Sequence, residues 1–236
     1  MDKQHEHIVR SYEEELSLLN NKIAKMGGLA EQVLGQSIEA LERRDPELAA
    51  ATISEDEAID ALEREIEEQT VAMIARRQPM AGDLRAIITS IHVANDLERM
   101  GDMAKQIARR SLKIEGLSLA PKFYNGVKHM NDLVLNQVKA ALDAYATRDS
   151  AAAVEVCNRD DEIDALYTSL FRELLTYMME DPRLITQCTH LLFCGKSLER
   201  AGDHATNIAE AAYYLDTGRQ LSAQVEEDLR RTQPKE

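Results

Sequence analysis

The chain has 236 residues, a formal net charge of −14 and no Trp. Acidity on this scale, with no basic stripe, excludes a nucleic-acid-binding surface and opposes direct adsorption to an anionic membrane. Hydrophobic residues make up 44% of the chain and aromatic ones only 4%, so the apolar mass is Ala, Leu, Ile, Val and nine Met; this palette favours helix, and the expected fold class is all-α.

In chain order, apolar residues recur at helical spacing from about residue 5 to 43 (Leu16, Leu19, Ile23, Met26, Val33, Ile38). Gly27-Gly28 is expected to bend this first helix, since each glycine costs about 1 kcal/mol relative to Ala. Asp45-Pro46 reads as N-cap and first residue of a second helix, running through Ile53, Ile59, Leu62, Ile66 and Met73 to about Arg77. After the break at Gln78-Pro79-Met80-Ala81-Gly82, a third helix spans about 83–112. Glu115-Gly116-Leu117-Ser118-Leu119-Ala120-Pro121 is the boundary between two halves, 1–116 and 117–216. The second half repeats the first, with helices expected over about 122–147, 150–179 and 182–216, and residues 217–236 are expected to form a flexible tail. The architecture is therefore two tandem three-helix bundles.

No apolar run reaches the roughly 18 residues of a membrane span, and Met1-Asp2-Lys3-Gln4-His5-Glu6-His7 lacks the apolar stretch of a signal peptide. Cys157, Cys188 and Cys194 fit no zinc or redox spacing; Cys188 and Cys194 flank the apolar Leu191-Leu192-Phe193 and are expected to be buried thiols. A soluble protein in a reducing, cytoplasmic compartment is expected.

The clearest internal repeat is Leu97-Glu98-Arg99-Met100-Gly101-Asp102, which returns as Leu198-Glu199-Arg200-Ala201-Gly202-Asp203 at an offset of 101. Both copies continue in parallel, through Ala104-Lys105-Gln106-Ile107-Ala108 and Ala205-Thr206-Asn207-Ile208-Ala209. A second match, Asp56-x-x-Ile59-Asp60-Ala61-Leu62 with Asp160-x-x-Ile163-Asp164-Ala165-Leu166, holds at an offset of 104. The three-residue difference implies a tighter second hairpin at Asp181-Pro182.

Residues four apart share a helix face, so each half carries one acidic pair on each of two helices. If those helices form an antiparallel hairpin, Asp60 faces Glu98 and Asp56 faces Asp102 about a mirror point at position 79. In the second half Asp164 faces Glu199 and Asp160 faces Asp203 about a point between 181 and 182. Four like charges at one level, twice, oppose helix formation unless a cation intervenes; each like-charged pair alone costs about 0.2–0.5 kcal/mol. Carboxylate oxygens are hard ligands suited to Mg, Ca, Mn and oxidised iron, and Gly101 and Gly202 leave room for ions or for close helix approach. A single acidic pair is ordinarily a solvated face; the matched register of four pairs favours cation binding.

Other candidates have a plainer reading. His5-Glu6-His7 reads as ordinary surface. His204 points about 100° away from Asp203 around the helix and reads as packing or outer-sphere support. Arg99 and Arg200 are expected to pair with neighbouring acids. Glu63 and Glu67 extend the Asp56–Asp60 stripe, but Tyr167 stands where Glu63 would repeat.

These motifs resemble the PhoU family of phosphate-signalling proteins over about residues 5–216. The specific matches are Asp96 to Asp102, Ser197 to Glu210, the four paired carboxylates and the Asp181-Pro182 helix start. The resemblance implies two three-helix bundles carrying multinuclear iron or zinc clusters on Asp56, Asp60, Glu98, Asp102, Asp160, Asp164, Glu199 and Asp203. It further implies a non-enzymatic, cytoplasmic negative regulator of the phosphate-starvation response, linking a Pst-type phosphate ABC transporter, through its PstB-type ATPase, to a PhoR-type sensor histidine kinase. A homodimer is expected, peripheral to the membrane through its partners only. The competing readings are a carboxylate-bridged di-metal enzyme of ferritin-like type and a purely structural helical interaction protein. Ferritin-like sites use Glu-x-x-His, and no histidine here has Glu three positions before it.

Overall fold

Asp45 and Asp149 start the second helical segment of each repeat by the same device. Each has extended backbone, and its carboxylate accepts from two main-chain N–H groups of the first turn: Glu47 and Leu48 in one case, Ala151 and Ala152 in the other, all at 3.0 Å. Replacing either aspartate by alanine is expected to lower stability by about 1 kcal/mol, read as a shift in urea midpoint. An unchanged midpoint would mean that the orphan N–H groups are satisfied by solvent.

The structure, a computed structural model, describes residues 3–114 and 121–221, the side chains of 3–11 and 121 excepted. Its helices are α1 (Lys3–Arg43), α2 (Pro46–Arg77), α3 (Ala81–Ile114), α4 (Asn125–Thr147), α5 (Ser150–Cys157), α6 (Asp160–Glu180) and α7 (Ile185–Thr217). Short 3-10 turns at Pro121–Tyr124 and Pro182–Leu184 lead into α4 and α7. The described residues contain no strand. The chain is all-α, and its six helical segments form two three-helix repeats: α1 to α3, then α4, α5 with α6, and α7. The halves' expected boundary at residue 116 and the side chains of His5-Glu6-His7 lie outside the described residues.

Two expectations need correction. The helix expected over 150–179 is broken at Asn158-Arg159, although its counterpart α2 is continuous. Asn158 favours turn conformations, and the three consecutive acids Asp160, Asp161 and Glu162 are best placed at the positive end of a new helix. Gly27-Gly28 does not interrupt α1. A Cβ on Gly27 would lie 2.7 Å from Leu142 Cδ1, so this glycine admits α4 to close contact.

α3 and α7 are the central helices. α3 packs on α1, α2 and α7, while α7 packs on α3, α4, α5 and α6. Helices with neighbours on several sides need small buried residues: Ala94, Ala104 and Ala108 of α3 and Ala201, Ala205, Ala209 and Ala212 of α7 are all fully buried. Larger residues fill each bundle: Ile23, Ile59, Ile66, Leu97 and Met100 in the first, and Val134, Val138, Leu170, Leu191 and Leu198 in the second. They belong to one continuous core across both repeats. Cys188 and Cys194 are buried within it as thiols, and burial pushes Cys194 up to about 12. Of the tail expected from residue 217, residues 217–221 are described: Gly218 caps α7 with a left-handed φ of 71°, and Leu221 packs partly against the core.

Candidate functional site

The two hairpins that carry the acidic motifs are α2–α3 and α6–α7. In each, the glycine of the motif lies under the isoleucine that separates the opposing aspartates. A Cβ on Gly101 would stand 3.0 Å from both Ile59 Cδ1 and Asp56 Oδ1; one on Gly202 would stand 3.0 Å from Ile163 Cδ1 and 3.4 Å from Gln137 Oε1. Of the two roles considered for these glycines, the structure therefore shows close helix approach, with side chains occupying the space.

The expected pairing of Asp164 with Glu199 across the α6–α7 hairpin holds. In the second repeat one ligand atom from each of Asp164, Glu199 and Asp203 lies within 4.8 Å of the others. Asp160 is close enough to act on Asp164 and Asp203, yet it does not join the convergent set. Instead it accepts from Thr206 Oγ1 at 2.9 Å, and Thr206 in turn accepts from Gln137 Nε2 at 2.9 Å. Burial first, then the surrounding carboxylates, raises the pKa of both Asp164 and Asp203, with Glu199 the largest charged contributor to each. Groups with raised folded-state pKa values take up protons that the unfolded chain releases. At neutral pH these carboxylates therefore oppose folding, and a cation would relieve them.

The first repeat is arranged differently. Asp56, 2% exposed, is ion-paired with Lys105, whose ammonium also lies 3.9 Å from Asp102 Oδ1 and within electrostatic reach of Asp60. Arg99 lies 3.4 Å from Glu98 Oε2 and 3.9 Å from Asp102 Oδ2, the pairing expected of it. Burial, then Asp102, raises the pKa of Glu98, partly offset by Arg99, with Glu63 and Asp60 adding to it. Glu63 thus belongs to the first cluster, held by Asn95 Nδ2 at 3.4 Å. At the matching place in the second repeat, Tyr167 lies under Lys196, 5.4 Å from the ring centre, and Lys196 pairs with Glu199.

Lys105, Thr206, Gln137, Asn95 and Lys196 were not among the residues that the spacing picked out. The signal for two of them was present: Lys105 and Thr206 occupy the same position in the parallel continuation of the motif, where a cation in one copy meets a neutral hydroxyl in the other. His204 lies outside both clusters. Its Nδ1 is 2.9 Å from Asp96 Oδ1, which also accepts from Asn207 Nδ2 at 3.2 Å, so this group ties α7 to α3.

The donor set of the second repeat suits a hard cation. It is all oxygen, Glu199 raises the pKa of both Asp164 and Asp203, and Glu199 Oε2 is buried with no hydrogen-bond partner. The first set fits an additional cation less well, because Lys105 crosses the hairpin to Asp56 and Arg99 lies beside Glu98 and Asp102. In the second set Lys196 is ion-paired with Glu199 on its own helix.

Comparison with known proteins covers both hairpins. The PhoU domain model matches residues 23–111 and again 127–212. The chain is 53% identical over 216 residues to a phosphate-specific transport system accessory protein PhoU homolog of Rhizobium meliloti, covering 92% of this chain and 91% of the relative. A homolog of the same description from Caulobacter vibrioides (strain NA1000 / CB15N) is 47% identical, covering 93% and 95%. The crystal structure of PhoU from Pseudomonas aeruginosa superposes with a TM-score of 0.85 at 40% identity, covering 88% of this chain and all of that one. PhoU from Streptococcus pneumoniae, titled a phosphate transport system regulatory protein, gives 0.82 at 29% identity, covering 89% and 99%. With both repeats matched and nearly the whole length aligned, the chain belongs to the PhoU family.

Proposed function

We propose that this protein is a non-enzymatic accessory regulator of phosphate transport that restrains uptake and the phosphate-starvation response when phosphate is ample. It would do so from the cytoplasm by linking a Pst-type phosphate ABC transporter, through its ATPase, to a PhoR-type sensor histidine kinase. The observation that carries this reading is family membership across both repeats, among relatives described as accessory proteins of phosphate-specific transport. Among the described residues no helix is long and apolar enough to cross a membrane, which suits a protein that reaches the membrane through partners. Deleting the gene is expected to raise a phosphate-starvation reporter in phosphate-rich medium. Unchanged expression would overturn the regulatory reading.

The second part of the proposal concerns cations. Asp164, Glu199 and Asp203 would hold a multivalent ion, with Asp160 nearby. Bound there, the ion would supply positive charge that cancels carboxylate repulsion and links α6 to α7. The chain's contribution is to converge three carboxylates from two helices and to keep one Glu199 oxygen without a competing donor. An all-oxygen set favours oxidised iron, Mn or Mg over zinc, which prefers nitrogen and sulfur ligands. Elemental analysis of protein purified without chelator is expected to find such a metal, and Asp164→Asn with Asp203→Asn is expected to remove it. Metal content unchanged by that double substitution would place the ion elsewhere.

A further inference from the structure

The two repeats serve as internal comparisons for one another. The same isoleucine, glycine and four acidic positions recur in both, yet the residue one turn after the aspartate of the motif differs. In the first repeat Lys105 reaches across from α3 to Asp56 on α2 and lies 3.9 Å from Asp102. In the second, Thr206 reaches across from α7 to Asp160 with a hydroxyl and brings no charge. The first cluster thus holds a cation that belongs to the chain. The second has its own ammonium, Lys196, but this pairs with Glu199 on the same helix. Glu199 Oε2, like Glu98 Oε2 in the first, is buried without a hydrogen-bond partner, so the clusters differ in the side chain that crosses the hairpin.

We propose that the residue at this paired position decides which repeat takes a free cation: Lys105 is the first repeat's built-in counter-ion and closes it, whereas Thr206 leaves the second repeat open to a multivalent ion. The inference rests on the cation-binding reading above and adds that the two sites are not equivalent. An ammonium and a metal ion compete for the same oxygens, and two cations on neighbouring carboxylates repel each other. Lys196 differs from Lys105 in not crossing the hairpin to form an ion pair: it pairs with Glu199 on its own helix and sits over Tyr167, while its charge still reaches Asp164 and Asp203.

The test is Mn²⁺ binding to the full chain, followed by the loss of the free-ion electron paramagnetic resonance signal. The native chain is expected to show one class of site. Asp164→Asn with Asp203→Asn should abolish it, whereas Asp60→Asn with Asp102→Asn should leave its affinity within about threefold. Placing a charge in the second repeat, Thr206→Lys, should weaken binding at least about tenfold, the scale of an outer-shell change at a metal site, because an ammonium beside Asp160 would repel the ion held by the neighbouring trio. Thr206→Val, which removes the hydroxyl without adding charge, should weaken it less than Thr206→Lys. Lys105→Thr should create a second class of site; because that variant also unpairs Asp56, circular dichroism is used to confirm that it is folded before titration. Equal losses from the two double substitutions, or unchanged affinity in Thr206→Lys, would overturn the assignment while leaving cation binding intact. No Mn²⁺ binding by the native chain would overturn the cation reading and this inference together.

Discussion

Lys105→Met is expected to lower the stability of the metal-free protein by about 3 kcal/mol, the lower end of the cost of leaving a buried carboxylate without its partner. The lower end applies because the Lys105 side chain is 23% exposed, so water screens part of the pair. For a chain of this length that corresponds to a fall in Tm of roughly 6–12 °C. The cause is Asp56, which is 2% exposed and would be left beside Asp60 and Asp102 with no ammonium to offset them. Asp56→Asn in the Lys105→Met background should recover most of the loss, because the uncompensated charge is then gone. A double-substitution cycle measures the coupling; a value below about 0.5 kcal/mol would show that the pair is no stronger than an exposed one. The matching change Thr206→Ala should cost about 1.5 kcal/mol, the low end for a hydrogen bond to a charged group, since Asp160 loses a donor but no ion pair is broken. The asymmetry between the repeats should thus be measurable without any metal.

Ile163→Ala should be the most damaging apolar truncation near the second cluster, at about 2–5 kcal/mol. Ile163 is 3% exposed, and its Cδ1 fills the space above Gly202. That contact also predicts a change of sign at the glycine. Gly202→Ala in the native chain gains up to about 1 kcal/mol of helix propensity. It must, however, push a Cβ to 3.0 Å from Ile163 Cδ1 and 3.4 Å from Gln137 Oε1, a clash that costs about 1–3 kcal/mol when a core is overfilled. A net loss is expected. In the Ile163→Ala background the space is open, so the same substitution should stabilise by up to about 1 kcal/mol. Urea denaturation of the four chains reads this directly, and additive effects would mean that the glycine is there for some other reason.

Much of the fold is legible from short-range chemistry. Asp45-Pro46, Asp149-Ser150 and Asp181-Pro182 mark helix starts because an aspartate carboxylate satisfies orphan N–H groups of the first turn, an interaction contained within a few residues. The hairpin partners are legible for a similar reason: helical rise is constant, so equal distances from a turn imply equal height. That is why Asp164 meets Glu199 as the spacing requires. The break at Asn158-Arg159 was harder to see, since the apolar pattern runs through it and only the local acid cluster and the turn-forming Asn favour a new start. Gly27-Gly28 misled because glycine can signal a bend or a close neighbour, and Leu142, which distinguishes them, is more than a hundred residues away.

The Glu98–Asp102 motif, the Asp56–Asp60 pair and their repeats, read alone, determine that two hairpins each bring two pairs of carboxylates to one level. They also carry the family resemblance, because the motif is written in consecutive residues on single helices. What the tertiary structure decided is how those charges are compensated. Whether Lys105 reaches a buried Asp56, whether Thr206 holds Asp160 away from the converging trio, and whether Glu199 keeps an oxygen without a donor all depend on side chains crossing between helices. Periodicity fixes the face and height of a residue, but the separation between helices is set by packing. Electrostatic compensation depends on that separation, which is why two nearly identical motifs yield two different sites.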